Sequence, residues 1–153
     1  MAIEYDLRSD ADLDAGELLA FFAEAIGSAV VRDGAAFREG MYVTPDRVPE
    51  EDDDPTVGWF GFKHRSTTTF RFSNQADVAT TEHNTAVMVG AVLAFFHRYD
   101  VHGVLLFNGE VVVIQRLTDR VSVADDWAEW LDGGEVAALI AGQSVHPLAQ
   151  PLL

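Results

Sequence analysis

The residues best suited to bind a metal ion are His97, Asp100 and His102, which follow one another near the end of a predicted helix. Imidazole and carboxylate groups are common ligands of zinc. Paired metal-binding histidines on one helix usually have an i, i+4 spacing, and His97 and His102 do not match it. Histidine close to a helix C-terminus is favoured by the helix dipole in any case. We therefore expect no metal site and no cofactor.

The other residue patterns that support catalysis are absent from the sequence. It contains no Gly-x-Ser-x-Gly nucleophile motif, no Gly-x-Gly-x-x-Gly loop and no Gly-Lys-Ser/Thr phosphate-binding sequence. It also has no cysteine, which excludes thiolate nucleophiles, thiolate metal ligands and disulfides. Carboxylates are so numerous that no particular acid–base pair can be assigned from the sequence. We expect a protein that is not an enzyme.

Acidic residues concentrate in two segments. Residues 46–55 are predicted to form an exposed acidic loop, because the prolines and carboxylates around them disfavour both a strand and a helix. A second acidic segment begins at Asp125 and is interleaved with Trp127 and Trp130. Carboxylates beside large aromatic side chains are typical of a surface that binds a basic partner. The predicted partner-binding residues are Glu50, Glu51, Asp52, Asp53, Asp54, Asp125, Asp126 and Glu129.

Each acidic segment also has a simpler interpretation that involves no partner. Trp127 and Trp130 have large side chains of the kind that fill a hydrophobic core, and we favour that role for them. The carboxylates around them are then merely solvated. Residues 46–54 are likewise explained by a solvated linker, which we favour over a contact surface for that loop.

The charge of the chain limits the class of partner. Ten Lys and Arg residues against 25 Asp and Glu residues give a formal net charge of −15, which repels nucleic acid and anionic membranes and attracts a basic protein. The length of 153 residues and the 48% hydrophobic composition fit one folded domain over residues 1–153. The first residues show no signal-peptide pattern. We expect a soluble cytoplasmic protein.

A long helix followed by a β-hairpin is the clearest structural pattern. Residues 77–99 carry apolar side chains so densely that the helix should bury most of its circumference; these are Val78, Val89, Val92, Leu93, Phe95, Phe96 and Tyr99. Asn108-Gly109 lies between the aliphatic runs 104–107 and 110–114. This dipeptide predicts a type I′ hairpin, because both central residues of that turn need a positive φ.

The remaining elements complete an α+β pattern. Predicted strands cover 3–7, 29–31, 36–37, 41–43, 59–62, 66–72 and 121–123, and a first helix ends near Gly27 with Asp12 or Asp14 at its start. A third helix is predicted to open at Asp125, to bury Trp127, Trp130, Leu131, Val136, Leu139 and Ile140, and to break or kink at Gly133-Gly134. Tight turns between strands favour a mainly antiparallel sheet with helices packed on one face. The favoured topology is a ferredoxin-like βαββαβ core with additions.

Four stretches of the chain together resemble a known family. They are Met1-Ala-Ile-Glu-Tyr-Asp-Leu7, Val104-Leu-Leu-Phe-Asn-Gly-Glu-Val-Val-Val-Ile114, Asp125-Asp126-Trp127-Ala-Glu-Trp130 and Pro147-Leu-Ala-Gln-Pro-Leu-Leu153. In order and spacing they resemble the Sit-type immunity proteins, which protect bacteria against the swarm-inhibition toxins of their kin. The resemblance implies a non-enzymatic cytoplasmic protein that binds and neutralises a toxin. It supplies no functional residues.

Two functional hypotheses therefore remain open. In the first, the chain is an acidic immunity-type inhibitor whose carboxylates contact a basic toxin domain. In the second, it binds a small molecule or acts as an enzyme, with Thr67, Thr69, Arg71 and Arg116 lining a pocket on the open face of the sheet. Exposed strand edges also leave homodimerisation open.

Overall fold

The computed structural model describes residues 3–49, 59–127 and 134–150 of the chain. The strands in these ranges are β1 Ile3–Ser9, β2 Val30–Arg32, β3 Ala35–Arg38, β4 Met41–Arg47, β5 Ser66–Phe72, β6 Gly103–Phe107, β7 Val111–Arg116, β8 Val121–Ala124 and β9 Ser144–His146. The helices are α1 Ala15–Ala25, α2 Val78–Tyr99 and α3 Gly134–Ile140.

The strands form a single sheet in the order β2-β3-β4-β5-β1-β6-β7-β8-β9. Neighbouring strands are antiparallel, except for β8 and β9, which run parallel. The predicted α+β class with a mainly antiparallel sheet is confirmed. At the centre, β1, α1, β4, β5, α2 and β6 follow the chain order of a ferredoxin-like unit, and their strands pair as β4-β5-β1-β6. The other five strands extend this unit at its two sides.

The helices pack on one face of the sheet. Tyr5 and Leu7 of β1 point to this face, since alternate residues of a strand share a side. They join a buried cluster with Phe22 of α1, Phe95 of α2 and Ile140 of α3. The rings of Phe22 and Phe95 lie 5.2 Å apart at the centre of the cluster. Burial of these large side chains is the main stabilisation of the fold.

A second, smaller cluster covers the opposite face of the sheet. Its buried members are Val104, Leu106, Val112, Ala124 and Leu148. Phe60, Phe62 and Leu117 are half-buried against it. Strands β6, β7 and β8 are therefore packed on both faces, whereas β1, β4 and β5 keep polar side chains on the face away from the helices, which we call the open face.

Local sequence signals explain where the elements begin and turn. Asp14 and Asp77 are the N-caps of α1 and α2, and each carboxylate accepts a hydrogen bond from the backbone N–H three residues on, at 2.8 and 2.7 Å. Asn108 and Gly109 have φ values of 49° and 74°, as a type I′ turn requires. The predicted acidic start of α1 and the predicted hairpin are confirmed.

Two strand boundaries differ from the sequence prediction. Strand β4 continues through Pro45 to Arg47, although the prolines predict no strand from residue 45 onward. Proline has no backbone N–H to donate to a neighbouring strand. Because β3 pairs only with residues 41–43, no carbonyl of β3 lies opposite Pro45 and is left without a donor. Residues 59–62 form a turn rather than the predicted strand, because Gly61 has a φ of 83° that interrupts an extended chain.

The C-terminal third differs more. Asp125 and Asp126 form a turn after β8, where the start of the third helix was predicted. The predicted helical residues Trp130 and Leu131 lie outside the described residues, and α3 begins at Gly134. The φ of 85° at Gly134 agrees with the break or kink predicted at Gly133-Gly134. Val136 and Ile140 are buried as predicted, whereas Leu139 is exposed. Strand β9 is absent from the sequence prediction, since its three residues gain extended structure by pairing with β8.

Candidate functional site

The acidic turn after β8 is the part of the predicted site that the structure describes. Asp125 and Asp126 are both exposed, and they directly follow Ala124, which is buried in the second cluster. Trp127 comes next and is half-buried, with its ring 5.0 Å from that of Phe107. Trp127 thus packs against the core on the helix side of the sheet, as favoured from the sequence, while the two carboxylates are exposed to solvent.

The other predicted contact residues lie outside the described residues. These are Glu50, Glu51, Asp52, Asp53, Asp54 and Glu129, and Trp130 also falls outside. Within the first acidic segment the structure describes Asp46, which is exposed on β4. Its cross-strand neighbour is Thr67 of β5. Asp125 and Asp126 are therefore the two predicted partner-binding residues whose positions the structure describes.

Sequence reasoning missed an exposed tryptophan. Trp59 is 51% exposed, and every other described Phe, Tyr or Trp is half-buried or buried. Its ring meets that of Phe60 at 5.0 Å with an interplanar angle of 90°. The signal available in the sequence is the position of Trp59 between Gly58 and Gly61, five residues after the acidic run that ends at Asp54. Glycines on both sides of this aromatic pair favour a turn, although the aromatic residues themselves favour a strand.

The residues predicted to line a small-molecule pocket do not converge. Thr67, Thr69 and Arg71 share the open face, where the Thr69 hydroxyl donates to Asp6 Oδ1 at 2.9 Å and Arg71 lies 3.8 Å from the Glu4 carboxylate. Arg116 instead lies beside the C-terminus of α2, on the helix side of the sheet. The sequence could not separate Arg116 from this group, because the face of a strand residue depends on register.

Arg116 lines a polar cleft at the end of α2. Its guanidinium donates to the Val101 carbonyl at 2.8 Å and also pairs with the Asp100 carboxylate. His97 and Arg120 lie at the same cleft. The buried Arg116 thus has both a carbonyl and a carboxylate partner, which makes it a structural tie between α2 and β7.

Two of the three residues considered as metal ligands have separate partners. Asp100 pairs with Arg116, and His102 Nδ1 lies 2.8 Å from Asp10 Oδ2. His97 is exposed on α2. Within the described ranges, no group of three or more His, Asp or Glu side chains is arranged to hold a metal ion.

Family comparison places the chain. A family model described as SitI3-like matches residues 3–134. The chain belongs to the SitI3-like family. The matched range runs from β1 to the start of α3 and includes the ferredoxin-like unit, Trp59 and the acidic turn. Membership agrees with the resemblance to Sit-type immunity proteins at the level of the family, and the SitI3-like family suggests an immunity-type protein.

Comparisons of this SitI3-like chain with curated proteins and with solved structures find no match. The described helices were also compared with the length and hydropathy that a membrane span requires. None of them is long and apolar enough to cross a membrane.

Proposed function

We propose that this chain is an immunity-type protein that binds a bacterial toxin domain in the cytoplasm and neutralises it without catalysing a reaction. The observation that carries the proposal is membership of the SitI3-like family over residues 3–134. The sequence supports a binding role, since it contains none of the nucleophile or phosphate-binding motifs described above.

The charge of the chain supports a basic partner. A formal net charge of −15 over 153 residues accelerates association with a positively charged domain and disfavours nucleic acid and anionic membranes. A toxin that acts on nucleic acid has a basic active face, and an acidic inhibitor offers that face the same charge as its substrate. Electrostatic attraction of this kind weakens with salt.

The proposed contacts combine the two acidic segments. Asp125 and Asp126 are exposed in a turn next to a buried strand, so they can meet a partner without unfolding any element. Placement on a rigid strand end also limits the entropy lost on binding. The remaining proposed contacts are Glu50, Glu51, Asp52, Asp53, Asp54 and Glu129.

A binding and protection experiment tests the proposal. The purified protein is titrated with the product of the adjacent toxin gene across a salt series, and survival of cells expressing that toxin is measured with and without the chain. We expect tight binding that weakens with salt, and survival only when the chain is present. Absence of both binding and protection would refute the proposed function.

A charge-matched pair of variants tests the acidic surface. The double variant Asp125→Asn/Asp126→Asn should lose about tenfold in affinity and show a weaker salt dependence. The control Glu24→Gln/Glu82→Gln removes the same charge from exposed helical positions and should bind like the wild type. Equal losses in the two variants would mean that only the net charge matters.

A further inference from the structure

Trp59 is exposed and packs against a neighbouring aromatic ring. Although 51% of its surface is accessible, its ring is held edge-to-face against Phe60, with centroids 5.0 Å apart. Phe60 and its near neighbour Phe62 pack against the second cluster on the sheet. An exposed indole costs hydrophobic free energy in the unbound protein, and a fixed orientation lowers the entropy lost when a partner covers it.

The same cluster supports the acidic turn. Ala124 is one of its buried members, and Asp125 and Asp126 follow Ala124 directly. The segment carrying Trp59 is therefore attached to this cluster, and the acidic turn begins beside it at Ala124, where the chain passes towards the first cluster through Trp127. A large aromatic side chain near acidic residues is the combination found at the centre and rim of protein interfaces.

We propose that Trp59 is the apolar anchor of the partner-binding surface and that Asp125 and Asp126 are its acidic rim. The partner is a basic protein domain that places a lysine or arginine side chain over the indole face. A cation over a tryptophan ring gains from the ring's quadrupole, and flanking basic residues pair with the carboxylates. This inference rests on the proposed function and assigns its central contact.

Other exposed apolar residues lack this combination. Val30 and Val31 are half-exposed on the edge strand β2, but the residues that follow them, Arg32 and Asp33, carry opposite charges. Val78 is 73% exposed at the start of α2, on the helix side of the sheet. Neither residue belongs to the second cluster, which supports Trp59 and the start of the acidic turn, so Val78 provides a suitable control.

The test compares three variants for binding to the adjacent toxin gene's product. Trp59→Ala should lose at least about 30-fold in affinity, the loss typical of an interface anchor, with the salt dependence unchanged. Trp59→Phe should lose less, because it keeps an aromatic face. Val78→Ala should bind like the wild type. Thermal melting of each variant checks that the fold is intact.

A double-mutant cycle tests whether Trp59 and the acidic turn form one surface. Combining Trp59→Ala with Asp125→Asn/Asp126→Asn should give a loss smaller than the product of the separate losses, since neighbouring contacts are coupled. If the loss of affinity in the combined variant equals the product of the separate losses, Trp59 and the acidic turn do not form one binding surface.

The outcomes separate the two proposals. If the wild type binds the toxin and Trp59→Ala binds equally well, the anchor assignment is wrong and the proposed function stands. If the wild type fails to bind and to protect cells, both are wrong. If the wild type self-associates and Trp59→Ala is monomeric, Trp59 serves as a contact between copies of this chain, and the anchor assignment is again wrong.

Discussion

The Asn84 side chain donates a hydrogen bond of 2.7 Å from Nδ2 to the backbone carbonyl of Glu39. Asn84 is 1% exposed on the sheet-facing side of α2, and Glu39 lies in the turn between β3 and β4. Asn84 therefore connects α2 to the turn between β3 and β4, although strands β4 and β5 separate the two in the chain.

Replacing Asn84 with alanine should destabilise the fold by about 1–2 kcal/mol, because the Glu39 carbonyl then has no donor in a buried position. Urea unfolding monitored by circular dichroism measures the change. Asn84→Asp should cost more, since it removes the donor and adds a buried charge. A loss below about 0.5 kcal/mol in the alanine variant would show that water replaces the amide.

Gly40 is expected to be intolerant of any side chain. Its φ is 82°, and an added Cβ would lie 2.9 Å from both Asn84 Nδ2 and Thr80 Cγ2. Gly40→Ala should therefore destabilise by about 2–4 kcal/mol through backbone strain and crowding together. Gly34 is the matched control, because its φ is 75° and an added Cβ meets nothing within 4 Å. Gly34→Ala should cost only about 1 kcal/mol of stability. Equal losses in the two variants would show that crowding of the added Cβ at Gly40 does not contribute.

Asp77 should make the stability of α2 depend on acid pH. The Thr80 backbone N–H donates to its carboxylate and lowers the pKa of Asp77 below the ordinary value of 3.8. A lowered folded-state pKa gives stability that is present above 3.8 and is lost as pH falls through the folded-state pKa. At neutral pH, Asp77→Ala should lower the melting temperature by about 2–4 °C.

The control for this pH effect is Asp77→Asn, which keeps an accepting oxygen at the cap and does not titrate. The difference in melting temperature between wild type and Asp77→Ala should shrink in strong acid. The difference between Asp77→Asn and Asp77→Ala should stay constant. If the difference in melting temperature between wild type and Asp77→Ala also stays constant as the pH falls, the ionised carboxylate has no role in the stability of α2.

Truncation of Phe95 should lower the stability of the fold much more than truncation of Val78, although the sequence pattern places both residues on the buried side of α2. Phe95 is fully buried with its ring 5.2 Å from that of Phe22, whereas Val78 is 73% exposed. Phe95→Ala should cost about 3–5 kcal/mol through lost burial and a residual cavity. Val78→Ala should change the free energy of unfolding by less than about 0.5 kcal/mol. A large loss at Val78 would mean that it packs against a neighbour in solution.

Local chemistry accounts for what the sequence predicted correctly. Asp14, Asp77 and Asn108-Gly109 act on their own backbone within a few residues, so their effect can be read without the tertiary structure. The ferredoxin-like core was accessible from the order of its strands and helices, because the apolar periodicity within each segment identifies the type of element, although no strand pair of the core is joined by a short turn. Fold class and central topology thus follow from nearby residues.

Distant pairing explains what the sequence did not predict. Strand β9 is extended because β8 supplies its hydrogen-bond partners, and no propensity of Ser144-Val145-His146 identifies that neighbour. The face on which Arg116 lies depends on strand register, including the irregularity between Leu105 and Leu106. The exposure of Trp59 reverses the usual rule that large aromatic residues are buried. Candidate site residues were therefore identifiable by type, and their grouping was not.

The position of β1 has a consequence for how the chain acquires its structure. Of the described strands, β1 is synthesised first, yet it lies in the middle of the sheet between β5 and β6, and both of those partners are synthesised much later. Until then β1 has two unsatisfied edges and an apolar face that includes Tyr5 and Leu7. Pairings between such distant segments slow folding, because the chain entropy is lost before the contacts form. Folding of this protein should therefore be largely post-translational, with a nascent chain that depends on chaperones to keep its first strand from aggregating.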